Sequence, residues 1–216
     1  MKENRLEKKF VYKEGDLSFN FFILNSMFKK MYPSRKVNSI YFDTPSHKDI
    51  WENINGFGDR KKIRVRWYDK INNSEVFIEK KRKINFITQK TVKKIDTFKN
   101  FKDLNNYLYS EDFHNNFLRN KFKDNLERSI YVQYVRSYYE LPNKKLRLTI
   151  DKDIKIMNSK TSNFFQQDEI ILELKYDVKY SNYVNDLIFK YGLNNRNRKF
   201  SKYVNSFIQL NNSAFI

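Results

Sequence analysis

The chain is predicted to be α+β and mainly β: an eight-stranded antiparallel barrel closed on itself, with helices packed on its outside and all 216 residues (1–216) in one domain. Three observations carry that expectation. Apolar and charged residues alternate at period two in segment after segment, as in strands with two chemically different faces. The segments are short, number about eight and follow one another through turn residues, which suits a closure that leaves no free edge. Between them lie a few stretches at helical spacing, each with an apolar stripe and a polar back, suited to covering one face of a sheet.

The elements follow in order. Arg5 to Tyr12 is a strand with Arg5, Glu7 and Lys9 on one face and Leu6, Phe10 and Tyr12 on the other. Asp16 is a good N-cap for a helix carrying Leu17, Phe21, Leu24 and Phe28, with Pro33 just past its end. Val37 to Asp43 reads as the second strand, closed by Asp43-Thr44-Pro45-Ser46. Trp51 and Ile54 fall in a connecting segment that ends at Gly56-Phe57-Gly58.

The third strand, Arg60 to Tyr68, puts Arg60, Lys62, Arg64 and Arg66 on one face and Ile63, Val65 and Trp67 on the other. Asn72-Asn73-Ser74 turns it into the fourth, Glu75 to Lys83, with Glu79, Lys81 and Lys83 sharing a face. Gln89 to Ile95, carrying Lys90, is the fifth. Helical spacing takes over from Phe101 to Leu126 (Leu104, Tyr107, Leu108, then Phe117, Leu118, Phe122). Ile130 to Glu140, with Arg136, is the sixth strand, and Pro142-Asn143 turns into the seventh, Lys145 to Asp153. There Lys145, Arg147, Thr149 and Asp151 oppose Leu146, Leu148 and Ile150. In the eighth, Glu169 to Tyr176, Glu173 and Lys175 oppose Ile170, Leu172 and Leu174. Val184, Leu187, Ile188 and Tyr191 form a helix stripe ended by Gly192. The stretch Arg198-Lys199-Phe200-Ser201-Lys202-Tyr203 opens a closing helix with Val204, Phe207 and Ile208.

Composition narrows the chemistry. With no cysteine there is neither a disulfide nor a thiolate metal site, and only His47 and His114 offer imidazole, so any metal is a hard ion held by carboxylates. A formal net charge of +18 calls for a polyanionic partner. No apolar run approaches the ~20 residues that cross a bilayer. The charged, strand-like start lacks the apolar core of a signal peptide, so the expected compartment is the cytoplasm.

The charged rows carry both signs. Glu7 accompanies Lys9, Glu79 accompanies Lys81, Asp151 shares a row with Arg147, and Glu173 accompanies Lys175. A nucleic-acid groove rarely sets so many carboxylates among its phosphate contacts, so nucleic acid is not the expected partner. A metal–polyphosphate site needs both signs, cations for phosphate oxygens and carboxylates for the ion. Helices with apolar stripes favour a barrel whose charged rows face inward around a water-filled tunnel.

An ordered set of motifs then carries a resemblance over nearly the whole chain: Arg5-Leu6-Glu7-Lys8-Lys9-Phe10, Ser39-Ile40-Tyr41-Phe42-Asp43-Thr44, Lys62-Ile63-Arg64-Val65-Arg66-Trp67-Tyr68, Phe77-Ile78-Glu79-Lys80-Lys81-Arg82-Lys83, Arg147-Leu148-Thr149-Ile150-Asp151, Ile171-Leu172-Glu173-Leu174-Lys175-Tyr176 and Phe200-Ser201-Lys202-Tyr203. The chain resembles the VTC domain, the catalytic module of the vacuolar transporter chaperone complex within the triphosphate tunnel metalloenzyme superfamily. The resemblance implies a basic tunnel, ATP and polyphosphate as partners, a Mn²⁺ or Mg²⁺ cofactor, and polyphosphate synthesis from ATP. It puts Arg64, Arg66, Arg136, Arg147 and Lys175 at the reacting phosphates, Lys9, Lys81, Lys90, Ser201 and Lys202 on the substrate, and Glu173 on the metal. The hydrolytic branch of the superfamily opens with Glu-x-Glu-x-Lys; here Arg5 replaces the first acid, as in the polymerase branch. A metal-dependent tripolyphosphatase or nucleoside triphosphatase and a non-catalytic polyanion binder are the alternatives.

Overall fold

A computed structural model describes residues 5–85, 87–119, 125–144, 146–158, 164–193 and 200–212. In chain order it places β1 (Arg5–Lys13), α1 (Glu14–Met27), β2 (Lys29–Asp43), α2 (Lys48–Ile54), β3 (Asp59–Tyr68), β4 (Ser74–Ile84), β5 (Ile87–Phe98), α3 (Phe101–Tyr109), α4 (Glu111–Phe113) and a π-helical segment (His114–Arg119). β6 (Glu127–Leu141), β7 (Leu146–Asn158), β8 (Phe165–Gln167), β9 (Glu169–Asp177), α5 (Ser181–Lys190) and α6 (Lys202–Asn212) complete it. Every expected strand is present, and the class is α+β with β predominating.

The expectation of an eight-stranded closed barrel is corrected in two respects. Nine strands are present among the described residues, and their hydrogen-bonded order, β1-β9-β7-β6-β2-β3-β4-β5 with β8 on β7, ends at β1 and β5 without joining them. β8 is three residues long, too short to show an alternation. β5 is exposed along almost all of its length, so it has no buried row to offer a closing partner.

Smaller differences have equally local causes. β2 starts at Lys29 rather than Val37, and its first half is exposed on both faces, so no period-two signal marks it. Pro33 follows α1 as expected, but it sits inside a strand. Asp16 lies within α1, which starts directly after Lys13. Trp51 and Ile54 belong to α2 rather than to an irregular link. Of the sequence motifs, Lys145, Phe122, Arg198 and Lys199 lie outside the described residues.

The chain divides into two compact units, and β2, β6, β7 and β8 contribute residues to each. The first unit comprises Met1–Arg35, Tyr134–Ile154 and Gln166–Phe200. In it Phe10 and Tyr12 of β1, Leu146, Leu148 and Ile150 of β7, and Ile170, Leu172 and Leu174 of β9 form one apolar core with Leu24, Val184 and Leu187 from α1 and α5. The second comprises Lys36–Gln133, Lys155–Phe165 and Ser201–Ile216. Here Ile40, Phe42, Ile63, Val65, Trp67, Val76 and Ile78 pack against Leu104, Leu108, Phe113, Phe117 and Leu118 of the α3–α4 region. In both units the helices cover the apolar rows, which leaves the charged rows on the opposite face of the sheet.

Candidate functional site

Register decides which charges meet. In the second unit β3 and β4 pair so that Arg64 lies opposite Glu79 and Lys62 opposite Lys81. β4 and β5 then set Lys81 beside Lys90. β2 brings Tyr41 beside Arg64 and Ser39 beside Arg66. Glu79, only 6% exposed, is the hub of this face. Arg64 donates to its Oε2 from Nε at 2.7 Å and from Nη2 at 2.5 Å, and Lys90 Nζ donates to Oε1 at 2.9 Å. Arg66 Nη1 stands 3.7 Å from Oε2 while its Nε donates to Ser39 Oγ at 3.2 Å. Arg64 Nη1 also donates to the Tyr41 hydroxyl at 3.2 Å.

Burial alone would raise the Glu79 carboxyl, but Arg64, Arg66 and Lys90 outweigh it and hold it at about 2. An acid that ionises at about 2 when folded, against an ordinary 4.5, stabilises the fold above pH 4.5 and loses that stabilisation as pH falls toward 2. The full effect is about 3 kcal/mol, of which about 2 kcal/mol disappears between roughly pH 5 and pH 3. Urea unfolding at those two pH values should show Glu79→Gln losing less stability on acidification than the parent; equal losses would refute the assignment.

Tyr41 links this hub to α6. Its ring stacks on Tyr203 (4.5 Å, 9°), whose hydroxyl donates to Asp43 Oδ2 at 2.8 Å and lies 3.1 Å from Ser129 Oγ. The same buried Asp43 accepts the backbone N–H groups of Asp49 and Ile50, so it ties α2 and α6 to the end of β2. At the head of α6, Ser201 Oγ accepts from Lys62 Nζ at 2.9 Å, and Lys202 is the helix's first residue.

The first unit builds a second hub around Glu173, also 6% exposed. β1 and β9 set Lys9 opposite Glu173 and Glu7 opposite Lys175, and β7 adds Thr149 opposite Glu173 and Arg147 opposite Lys175. Lys175 Nζ lies 2.6 Å from Glu173 Oε1 and Lys9 Nζ 3.7 Å from Oε2. Lys9 also meets Glu7 Oε1 at 2.8 Å and donates to the Phe200 carbonyl at 3.3 Å. Burial disfavours the charged form of Glu173, yet Lys9, Lys175 and Arg136 together hold its carboxyl well below the usual carboxylate range. Arg136 forks onto the fully buried Asp151, Nε to Oδ1 at 2.6 Å and Nη2 to Oδ2 at 2.7 Å. Burial opposes the Arg136 charge, but the carboxylate on it keeps the guanidinium ionised well above its ordinary value.

The sequence-predicted residues thus fall into two groups. Lys9, Arg136, Glu173 and Lys175 converge in the first unit, with Arg147 exposed on the same row as Lys175. Arg64, Arg66 and Lys90 converge in the second, with Lys81 exposed in the neighbouring row and Ser201 and Lys202 at the head of α6. Sequence reasoning passed over Glu79 as a hub, Asp151 as the partner of Arg136, and Lys62, Tyr41 and Ser39. Glu79 and Lys62 stand in the alternating rows, where the strand register reveals them; the roles of Ser39 and Tyr41 follow only from the pairing of β2 with β3.

No histidine, cysteine, aspartate and glutamate cluster of three or more that could hold a metal occurs among the described residues. Among the described residues no helix is long and apolar enough to cross a membrane.

Solved structures that share the fold include three of comparable length. The PH1819 protein of Pyrococcus horikoshii has a TM-score of 0.58 at 15% identity, covering 95% of this chain and 98% of that one. A conserved hypothetical protein of Pyrococcus furiosus gives 0.52 at 13% identity, over 92% and 97%. A candidate adenylate cyclase of Bacillus halodurans gives 0.53 at 10% identity, over 89% and 92%. No curated protein matches the sequence. The VTC domain family matches residues 4–211, nearly the entire chain, with both carboxylate hubs inside the match. The chain belongs to the VTC domain family.

Proposed function

We infer that the protein is a polyphosphate polymerase that moves the γ-phosphate of ATP onto the end of a growing polyphosphate chain. The observation that carries this reading is the pair of buried carboxylates, each ringed by three cations, on the charged faces of the sheet. Arginine forks onto phosphate oxygens, and lysine supplies mobile point charge beside it. Arg64, Arg66, Arg136, Arg147 and Lys175 are the residues assigned to the reacting phosphates, and Lys9, Lys81, Lys90, Ser201 and Lys202 to the rest of the substrate. Phosphoryl transfer asks little covalent help of a protein, so positioning and charge stabilisation supply most of the rate.

Arg5 in place of the first acid of the hydrolytic opening motif favours synthesis over hydrolysis, in which water would need a base to become a nucleophile. The terminal oxygen of a phosphate chain is already ionised near neutral pH and needs none.

A Mn²⁺ or Mg²⁺ ion fits the donors present, provided that the substrate completes the shell. Such ions accept one or two protein carboxylates, keep several waters and take the remaining oxygens from phosphates. Glu173 is the carboxylate assigned to the ion, and the Thr149 hydroxyl, buried without a hydrogen-bond partner, lies across the strand from it. A bound divalent ion supplies charge neutralisation on the phosphate oxygens.

Incubating the protein with ATP and Mn²⁺ should yield long phosphate chains, visible on gels or by phosphorus NMR. Release of orthophosphate alone would replace synthesis by hydrolysis. Tight, salt-sensitive polyanion binding without turnover would reduce the protein to a binding module.

A further inference from the structure

Tyr203 follows Ser201 and Lys202 at the head of α6 and is fully buried. Three side chains, with this ring in the middle, lead from the backbone to Arg64. Asp43 is the first. Thr44 and Asp49 donate their N–H groups to its Oδ1 at 2.8 and 2.9 Å, and Ile50 donates to Oδ2 at 3.2 Å. A carboxylate held by three backbone donors is a fixed point. The Tyr203 hydroxyl donates to Oδ2 at 2.8 Å; burial, together with that carboxylate, pushes the phenol well up, so it stays a donor. Its ring lies flat on that of Tyr41, with 4.5 Å between centroids and 9° between planes. The Tyr41 hydroxyl in turn accepts from Arg64 Nη1 at 3.2 Å. That last bond has a geometric role. Both bonds from Arg64 to Glu79, through Nε and Nη2, end on the same oxygen, Oε2. Two bonds that meet on one oxygen fix a pivot, and a bond from the far nitrogen fixes the plane of the fork.

We propose that Tyr203 is a positioning residue: acting through the ring and hydroxyl of Tyr41, it sets the plane in which the Arg64 guanidinium meets the reacting phosphate. The proposal rests on the reading of Arg64 as a residue at the reacting phosphates. The two hydroxyls do different things. That of Tyr41 orients Arg64 directly, and that of Tyr203 anchors the ring on which Tyr41 rests. Charge stabilisation depends on donors aimed beforehand at the place where charge develops. A misplacement of about 1 Å can cost about a hundredfold in rate. A guanidinium that rocks on Glu79 still attracts phosphate, so the loss falls on kcat rather than on KM.

Tyr203→Phe keeps the stack but releases the ring from Asp43, and Tyr41→Phe keeps the stack but removes the bond to Arg64. Each should lower kcat for polyphosphate synthesis about tenfold, with KM within about twofold of the parent. The two losses share one link, so the double variant should be no slower than Tyr41→Phe alone, and neither change should slow Arg64→Ala further. Side-chain nitrogen NMR on arginine-labelled protein should show rotation about the Arg64 Nε–Cζ bond several-fold faster in both variants, the signal being identified by its loss in Arg64→Ala. Unchanged kcat in either variant, losses that multiply in the double variant, or an Arg64 signal unmoved by Tyr203→Phe overturns the proposal. Should Tyr203→Phe not fold, Ser129→Ala strips the hydroxyl of its second neighbour and should give the same pattern at about threefold; no change there overturns the proposal equally. If the parent makes no polyphosphate while Arg64 still rotates faster in both variants, Tyr203 keeps its hold on Arg64 and the polymerase reading fails.

Discussion

Arg64→Ala should lower polyphosphate synthesis by about two to three powers of ten while the fold survives. At an effective dielectric near 20, a charge pair about 4 Å apart is worth about 4 kcal/mol, and each 1.4 kcal/mol of barrier is about a factor of ten in rate. Arg64 has its guanidinium on the charged face, held by Glu79 and Tyr41, so it is pre-positioned rather than recruited from solvent. Removing it does not strand Glu79, because Lys90 and Arg66 remain beside the carboxylate. Turnover and a thermal melt measured on one preparation test both halves of the expectation. Near-normal turnover would take Arg64 out of the site.

Asp151→Ala should instead act through the fold, costing about 3 kcal/mol, because it leaves Arg136 charged and mostly shielded from water (side chain 13% exposed) without its forked partner. Arg136 would then be drawn toward Glu173, the other carboxylate acting on it, and the second hub would be disturbed. Urea unfolding gives the stability loss. The compensating double variant Asp151→Leu/Arg136→Met should recover most of the stability, since a well-packed apolar pair can replace a buried ion pair. It should not recover synthesis. A single variant as stable as the parent would show that the fork contributes little.

Strands were readable in the sequence wherever one face is buried. β1, β3, β7 and β9 show clean alternation because helices cover their apolar rows, and the period follows directly. The first half of β2, with neither face buried, left no trace of that kind. Individual site residues were legible by type, but their pairing was not. Asn72-Asn73-Ser74 was readable as the turn, and the Ser74 N–H does donate to the Ile71 carbonyl across it at 2.8 Å, but the full loop runs from Asp69 to Asn73, with left-handed backbone at both of those residues (φ 54 and 52). Only that register brings Arg64 opposite Glu79. Asp151 was legible as a charge in a row, but its partner Arg136 comes from another strand, and pairing between distant segments is a tertiary fact.

Among the described residues β5 ends the strand order with no strand paired on its outer side, and it carries Lys90, Lys93 and Lys94 with exposed Ile87 and Val92 between and beside them. A long edge with exposed β-branched residues invites a second chain to add itself, and lysines are what keep such an addition from happening. Polyanion bound along this strand would cancel the repulsion that keeps copies apart. A protein so loaded would carry a self-association hazard that the bare protein does not, and its colloidal stability would become a function of how much polyanion surrounds it.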